Sequence, residues 1–512
     1  MSKINWDYLR TYDNPEDYVS ELSNAFNQIG NDSETIDQFY RIIMKHFEDT
    51  VPEDIGIATL NSLKRFISYK IKRDVFVQNK YAAALPYNQK NLTDDLLEVL
   101  YILVTRAPEA FTQEVADGFS RMIVRRPRKA LHIISIYATY FKGLENAWPL
   151  LDDLIQGQRR FSVDECAKEY VLLLAYLVTE HRGFRRGRAK ACFDCVAQNL
   201  ESENEDVINA TYSALASIVS VEQNIIVPFR EIRAHLRFPQ FESKILDFLL
   251  VCPLNFDGMD NPKFLQALLK IAARGEDEAQ IERLRNENGV EYTKEESLDV
   301  SNRAALVLMR LAEDRKVRET LINTPKWLKA DLPTTIHTLR LFLVIFKDMQ
   351  CRAVLGRKPE FIDFLSNLNE VGDESIHSLI CTIIRRINLN AALVKEMSKN
   401  EFIAAFLGNA DEIGTDNSHY SAILFTDTLC KICFTKEFIP MCETVSNFIQ
   451  EGGDNLSPAI KLATDLCKHQ RCVEKFQKLR LAPYLERRIS KMKNRGHIRA
   501  LIKLIKGEED MP

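Results

Sequence analysis

The sequence has few of the residues that form tight turns. Glycine occurs 18 times and proline 17 times in 512 residues. A chain of this size built from β-hairpins needs glycine, proline and asparagine turns at short intervals. This scarcity argues against an all-β fold and is typical of a helical one.

Long apolar runs are also missing. The longest, such as residues 171–178 and 341–346, are far shorter than the roughly 18–20 residues that cross a bilayer. The first residues, MSKINWDYLRTYDNPEDY, are polar and acidic, and they contain no apolar stretch of the kind found in a signal peptide. We therefore expect a soluble intracellular protein, located in the cytoplasm, with the nucleus as the alternative.

Neither sign of charge dominates the chain. The 68 Lys and Arg residues nearly balance 72 Asp and Glu residues, which leaves a formal charge of −4. No global field therefore draws the chain to nucleic acid or membrane, and such a partner would have to use a local patch.

Motifs of known catalytic and cofactor sites are absent. We find no Walker A loop, no GxGxxG after a strand, no HExxH and no GxSxG, and the nine histidines are scattered singly. The sequence nominates no catalytic residue and no cofactor, so we expect a protein that is not an enzyme.

Two cysteine pairs have the spacing of zinc ligands. Cys192 and Cys195 form one pair, and Cys430 and Cys433 the other. Neither has a second ligand pair nearby, and on a helix a three-residue spacing is also a core stripe. Cys192 with His181 likewise lacks the context of a nucleophile and base. We expect reduced, buried thiols and no metal site.

Apolar residues recur at helical spacing almost throughout. Segments 96–104, 131–136 and 207–219 are apolar around most of their circumference, as expected for helices packed on several sides. No convincing two-residue alternation is bounded by hairpin turns. These patterns predict an all-α fold.

The C-terminal half contains internal repeats. RLAEDRKVRETLINTPKWL (310–328) matches VIFKDMQCRAVLGRKPEFI (344–362) at an offset of 34. The matched pairs are Leu311 with Ile345, Arg318 with Arg352, Leu321 with Leu355, Pro325 with Pro359, and Trp327-Leu328 with Phe361-Ile362. A further match, at an offset of 41 residues, pairs Lys399 and residues 401–403 with Lys358 and residues 360–362. Residues 429–431 match residues 466–468 at an offset of 37.

These units resemble armadillo repeats and, more loosely, HEAT repeats. The resemblance is best over residues 300–490 and weaker over 90–270. It implies a right-handed α-solenoid whose concave face binds extended partners and in which each unit contacts only its neighbours. Importin-like adaptors line their groove with repeated Trp and Asn, whereas this chain has only Trp6, Trp148 and Trp327. The sequence therefore indicates the superfamily and no specific member.

The repeats suggest a division of the chain into five parts. Residues 1–90 form an N-terminal helical region, 91–274 and 298–506 carry the repeats, and 507–512 are a tail. Segment 275–297 holds eight acidic residues against three basic ones and has no apolar face. We interpret it as an exposed loop or solvated helix between two halves, and as a plain surface insertion rather than a hinge or partner site.

A basic corner follows the apolar run 171–178. The stretch EHRGFRRGRAKACFDC (180–195) places five cations in nine positions, namely Arg182, Arg185, Arg186, Arg188 and Lys190. One interpretation is a solvated corner between two helices. The other is a site for an acidic or phosphorylated segment, because guanidinium forks bind carboxylate and phosphate.

A second basic group, RRPRK (125–129), contains Arg125, Arg126 and Arg128. It precedes a helix, as does QRR (158–160). Because successive connections of a helical stack alternate between two rims, we expect these two groups on one rim and the basic corner on the other. Residues 121–190 carry 14 basic and 7 acidic side chains, a local charge of +7. RRPRK also resembles a nuclear localisation signal but has no flexible flank.

The C-terminus has the strongest charge bias. Residues 461–506 carry 14 basic and 3 acidic side chains, a charge of +11. Candidate binding residues are Arg487, Arg488, Lys491 and Lys493. The segment is either a capping helix with a soluble outer face or a docking surface for acidic protein, RNA or anionic lipid.

Taken together, the repeats and the missing chemistry predict a non-catalytic scaffold or adaptor that binds other proteins. The alternative is an RNA- or anionic-membrane-binding repeat protein that uses the basic patches at 121–190 and 461–506.

Overall fold

The structure is a computed structural model of the chain. It describes residues 4–11, 14–48, 50–140, 148–162, 164–253, 256–323, 336–355, 358–370, 372–451, 456–492 and 495–508. These residues form helices joined by short turns and contain no strand. The predicted all-α class is confirmed.

The helices belong to two compact units. Unit 1 comprises Met1–Ile232 and Asp247–Pro253, and unit 2 comprises Arg233–Leu246 and Leu254–Pro512. The acidic segment 275–297 lies within unit 2. The division therefore falls in the sequence before that segment.

Within the described ranges, the first sixteen α-helices run from the N-terminus through the junction of the two units, where the last two helices contribute residues to both units. They are α1 (Trp6–Thr11), α2 (Pro15–Gln28), α3 (Ser33–Lys45), α4 (Glu53–Ile67), α5 (Lys70–Gln78), α6 (Thr93–Arg106), α7 (Gln113–Arg125), α8 (Pro127–Tyr140), α9 (Trp148–Gln156), α10 (Gln158–Phe161), α11 (Asp164–Glu180), α12 (Arg182–Arg185), α13 (Ala189–Ala197), α14 (Glu205–Val219), α15 (Phe229–His235) and α16 (Pro239–Val251).

The other helices that the structure describes lie in unit 2. They are α17 (Pro262–Ala272), α18 (Glu278–Asn288), α19 (Lys294–Leu311), α20 (Arg315–Asn323), α21 (Ile336–Ile345), α22 (Met349–Leu355), α23 (Pro359–Asn369), α24 (Glu374–Ile384), α25 (Ala391–Lys399), α26 (Phe402–Ile413), α27 (Asp416–Cys430), α28 (Met441–Glu451), α29 (Leu456–Leu466), α30 (Gln470–Lys478), α31 (Leu481–Arg488) and α32 (Arg495–Lys506).

Within unit 1, one layer of helices packs in sequence order. Helix α2 contacts α4, α4 contacts α6, α6 contacts α8, α8 contacts α11, and α11 contacts α14. We call these six helices the long-helix layer. A second layer runs beside it, where α3 contacts α5, α7 contacts α9, and α9 contacts α13. Each helix therefore buries its apolar surface against its nearest neighbours, which is the packing of a helical repeat array.

Unit 2 has the same organisation. Helices α17, α19, α21, α24, α27, α29 and α32 contact one another in that order. Beside them α20 packs on α22, α23 on α26, and α28 on α30. The predicted solenoid type of fold, built from repeated helix pairs, is confirmed in each unit.

The 34-residue sequence match coincides with two equivalent corners. The Asp314 carboxylate accepts a hydrogen bond from the backbone N–H of Lys316, and the Asp348 carboxylate accepts one from that of Gln350. Both bonds are 2.7 Å long. Each aspartate thereby satisfies a free N–H at the start of a short helix, α20 or α22. Lys347 forms an ion pair with Glu313, 34 residues earlier, at 2.6 Å, so consecutive corners also contact each other. Pro325, Trp327 and Leu328 of the same match lie outside the described residues.

The matched arginines of these corners have the same role. Arg318 donates to the carbonyl oxygens of Ala312 and Glu313, both at 2.8 Å. Arg352 donates to the carbonyl oxygen of Phe346. These carbonyls lie directly after the last residues of α19 and α21, where the helix dipole leaves negative partial charge. A side chain from the start of one helix therefore closes the end of the previous one.

Unit 1 contains this contact as well. Arg73 of α5 donates to the carbonyl oxygen of Ile67, at the end of α4, at 3.1 Å. It is six residues beyond its acceptor, which is also the separation of Arg318 from Ala312. The corner arginine is therefore a shared feature of the two units.

Replacing Arg318 with Met should lower the free energy of unfolding by about 1–2 kcal/mol, because two carbonyls lose a charged donor. Urea unfolding followed by circular dichroism measures this change. The matched control is Arg315→Met, which removes an exposed arginine of the same corner and should change stability by no more than about 0.5 kcal/mol. Equal losses in the two variants would contradict the assigned role.

In the part of the chain that the structure describes, three turns place a residue other than glycine in the left-handed region. Lys80, Glu401 and Arg480 have φ angles of 55°, 58° and 53°. Each follows a short helix, α5, α25 or α30, and precedes the next helical turn of the same unit. An L-residue in this conformation carries roughly 1–2 kcal/mol of strain.

We expect Glu401→Gly to leave the free energy of unfolding unchanged or to raise it by up to about 1 kcal/mol. Glycine removes the strain, although it increases the entropy of the unfolded chain. Lys395→Gly, at an exposed position inside α25, should lower it by about 1 kcal/mol. If Glu401→Gly lowered the free energy of unfolding as much as Lys395→Gly, the turn at Glu401 would not be strained.

The central part of the acidic segment, α18, is a solvated helix, whereas the last four residues of the segment form the first turn of α19, in which Ser297 is buried. No residue of α18 is buried, Asp277 caps its first turn, and Gly289 ends it with a φ of 67°. Helices α17 and α19, which flank α18, pack directly on each other. The segment is therefore inserted between two adjacent helices of the stack and leaves their contact intact.

Candidate partner-binding surface

The long-helix layer of unit 1 carries an apolar groove of 310 Å³ between α6 and α8. Tyr101 is 43% exposed, and its ring stacks on the His132 imidazole with centroids 6.0 Å apart and planes 14° apart. Tyr101 lies one turn beyond the buried Leu97, at the edge of the apolar face of α6. The groove is lined by Lys64, Leu97, Glu98, Tyr101, Ile102, Lys129, His132 and Ile133.

A second groove of 620 Å³ lies between α8 and α11. Its apolar residues include Leu172, which is 44% exposed, and Tyr176 one turn later. His132 Nδ1 is 3.2 Å from Glu169 Oε1, which lines this second groove, so the two grooves adjoin. We call the residues that line both grooves the long-helix surface. The second groove is lined by Arg128, Ser135, Thr139, Glu165, Lys168, Glu169, Leu172, Leu173 and Tyr176.

Several charges on this surface are paired between neighbouring helices. Lys64 pairs with Glu98, 34 residues later, and Lys168 pairs with Asp206, 38 residues later, at 3.2 Å. The pairing reduces the net field of the surface, whereas the Tyr101 ring and the Leu172 side chain remain partly exposed to solvent. Exposed aromatic and aliphatic groups surrounded by polar ones are typical of protein-binding sites.

Part of the basic corner has a packing role. Phe184 is fully buried, and Arg188 binds Asp152 of α9 through both sides of its guanidinium, with Nε–Oδ1 at 2.5 Å and Nη2–Oδ2 at 3.0 Å. The hydrogen bond to Asp152 raises the pKa of Arg188. Since this fork already holds a carboxylate, Arg188 joins the corner to the second layer.

The other cations of the corner face solvent. Arg182, Arg186 and Lys190 are exposed and Arg185 is half-buried. None of the four forms an ion pair with a described residue. The structure thus permits both interpretations of these four side chains, a solvated corner and an anion site.

The group at 125–129 is divided among three environments. Arg125 donates to the carbonyl oxygen of Tyr87 at 3.1 Å. Arg126 and Lys129 both bind Asp94, at 3.0 and 2.8 Å, and their hydrogen bonds hold the pKa of that carboxyl below its usual value. Arg128 is exposed and lines the groove between α8 and α11. The group is therefore not one continuous patch.

At the C-terminus, α32 covers the end of the stack. Ile498, Leu501 and Ile505 are buried, and α32 packs on α29, α30 and α31. Arg487 and Arg488 are exposed, and the Arg488 guanidinium lies 5.1 Å from the centre of the Tyr484 ring. The side chain of Lys491 and all of Lys493 lie outside the described part of the chain. The helix thus has the burial of a cap, with a basic outer face.

The cysteine pairs lie in the helical core or at its edge. Cys192 and Cys195 are buried, and burial raises the pKa of both thiols. Burial likewise raises the pKa of Cys430 to about 12. Among the described residues, no group of three or more His, Cys, Asp and Glu side chains is placed to hold a metal ion. High thiol pKa values disfavour the thiolate that a metal or a nucleophile requires.

Sequence reasoning missed Tyr101, His132 and Leu172. These helices are apolar around most of their circumference, so periodicity alone does not show which apolar side chain stays exposed. The available signal was weak: Tyr101 falls outside the buried stripe of Leu96, Leu100 and Leu103 in α6.

Comparisons with known proteins give likeness at the level of structure only. No protein-family model matches the sequence, and no curated protein sequence matches it. A chain from the crystal complex of SYS-1 and POP-1 is 11% identical with a TM-score of 0.46, over 90% of this chain and 98% of that chain.

Two further solved structures are similar over nearly the whole of this chain. A chain from a study of a phosphorylation switch in the interaction of cadherin and β-catenin is 10% identical with a TM-score of 0.40, over 98% of this chain and 100% of that one. UNC-45 from Drosophila melanogaster is 10% identical with a TM-score of 0.33, and the match covers 98% of this chain and 81% of that one.

These neighbours are armadillo- and HEAT-repeat proteins. Each TM-score is below 0.5, so the fold assignment rests on the helix packing of this chain and not on these neighbours. No helix in the described ranges is both long and apolar enough to span a bilayer. The predicted solenoid of repeated helices is confirmed by the packing of this chain.

Proposed function

We propose that the protein is a non-catalytic scaffold that binds other proteins through the long-helix surface of unit 1. The observation that supports this most directly is the pair of adjoining grooves with Tyr101 and Leu172 exposed in them. Tyrosine is enriched among the residues that dominate binding energy at protein interfaces. Both side chains lie on helices held by neighbours on two sides, so little entropy is lost when a partner binds.

The spacing of the grooves constrains the partner. One groove lies between α6 and α8 and the next between α8 and α11. Packed helices are about 8–10 Å apart, and an extended chain advances about 3.3 Å per residue. We therefore expect an extended segment with two apolar side chains about three residues apart. The flanking ion pairs would favour a segment with mixed charge.

The double change Tyr101→Glu and Leu172→Glu should abolish retention of the proteins that bind specifically to the full-length chain, because both grooves acquire a carboxylate. Affinity capture from a cell lysate, quantified by mass spectrometry, measures this effect. Circular dichroism should show an unchanged fold, since both side chains already contact solvent.

The control is Met349→Glu in unit 2, which places a carboxylate at an apolar side chain that is 73% exposed and distant in sequence from the grooves. It should leave retention unchanged. Retention that persists in the double variant, or that falls equally with Met349→Glu, would refute binding at the long-helix surface.

A further inference from the structure

A polar groove of 680 Å³ lies on the second layer of unit 1, and none of its lining residues belongs to the long-helix surface. The end of α7 forms one wall, and the end of α9 with α10 forms the other. Three arginines line it: Arg121 from α7, and Arg159 and Arg160 from α10. The rest of the lining consists of Ser120, Ile123, Val124, Asp153, Ile155, Gln156, Gly157 and Gln158.

These three arginines differ from the cations of unit 1 that form ion pairs, and they resemble the unpaired cations of the basic corner except that they line one groove. Arg126, Lys129 and Arg188 each bind a carboxylate of a neighbouring helix. Arg121, Arg159 and Arg160 are exposed, and no described residue forms an ion pair with any of them. The groove is therefore a place where the positive charge of unit 1 is not neutralised by ion pairs within the fold. Such charge raises the local concentration of anions.

One carboxylate in the groove limits the negative charge of the anion that the groove can bind. Asp153 lines the groove, and burial together with the charge of Asp152 raises its pKa, while Arg160 opposes this shift. At neutral pH, three guanidiniums and one carboxylate leave a formal charge of about +2 when Asp153 is ionised. A compact dianion matches this charge. An uninterrupted polyanion such as RNA would place further phosphates close to Asp153.

The edge of the groove is apolar. Val124 of α7 is 53% exposed, and Ile155 of α9 lines the opposite wall. An apolar side chain next to the anion would find contacts there. This combination favours an anion carried by a polypeptide over a free ion.

We propose that this groove binds a phosphorylated serine or threonine of a partner protein. A phosphate monoester carries close to two negative charges at neutral pH and offers three acceptor oxygens. Guanidinium groups from two helices can therefore contact it at once, in the geometry that Arg favours for phosphate. The proposal does not rest on the function proposed above, because it uses different helices and a different ligand chemistry.

The test uses the full-length protein and a fluorescein-labelled peptide, Gly-Ala-Ala-phosphoserine-Val-Ala-Ala-Gly, followed by fluorescence anisotropy. We expect saturable binding that weakens at least about tenfold for the unphosphorylated peptide. Arg159→Gln with Arg160→Gln should reduce the affinity for the phosphopeptide by a similar factor or more, since a hydrogen bond to a charged group corresponds to about tenfold or above.

The matched control is Arg182→Gln with Arg186→Gln, which removes the same charge from the basic corner and should leave the affinity within about twofold. If both double variants weakened binding equally, the effect would be one of net charge alone and the proposal would be overturned. Equal binding of the two peptides would overturn it as well.

Inorganic phosphate should compete only weakly, and competition as strong as that of the phosphopeptide would contradict a polypeptide ligand. Tighter binding of a labelled deoxythymidine decamer through Arg159 and Arg160 would assign the groove to nucleic acid instead.

Discussion

The fold depends on one constraint: no helix of this chain can bury its apolar surface alone. Helices such as α6, α8 and α11 are apolar on several sides, so each needs a neighbour before and after it in the layer. The stack that results is held by contacts between residues some 30–40 positions apart, together with the corners that join successive helices. Hydrophobic burial is the dominant favourable term in folding, so the apolar faces of each helix determine that it packs on the helices before and after it in the layer.

The same constraint generates the surfaces proposed for binding. Wherever two helices of a layer meet, their exposed sides leave a seam, and the side chains along that seam are held by the packing beneath them. In the long-helix layer these seams contain apolar groups, Tyr101 and Leu172, with ion pairs around them. In the second layer, the seam between α7 and α9 contains arginines. A helical stack thus presents different chemistry on its two layers without any specialised loop.

Much of the architecture could be predicted from the sequence because periodicity and turn chemistry are local properties. The helices, the matched corners of Arg318 and Arg352, and the solvated character of the acidic segment all depend on residues close together in the chain. The binding surfaces depend instead on which helices are adjacent and in what register. That information is not local, since the matched offsets range from 34 to 41 residues. For this reason the sequence did not show that Asp152 occupies the fork of Arg188, or that Arg121 and Arg159 line one groove.

Hydrogen exchange measured by mass spectrometry on the full-length protein tests the central claim, that each helix is stabilised by its neighbours in the layer. Leu174 is fully buried in α11, and replacing it with Ala should cost about 2–5 kcal/mol. We predict faster exchange in α11 and in its partners α8 and α14, with no change in α27 and α29 of unit 2. Faster exchange confined to α11, or spread evenly over both units, would contradict stabilisation by nearest neighbours.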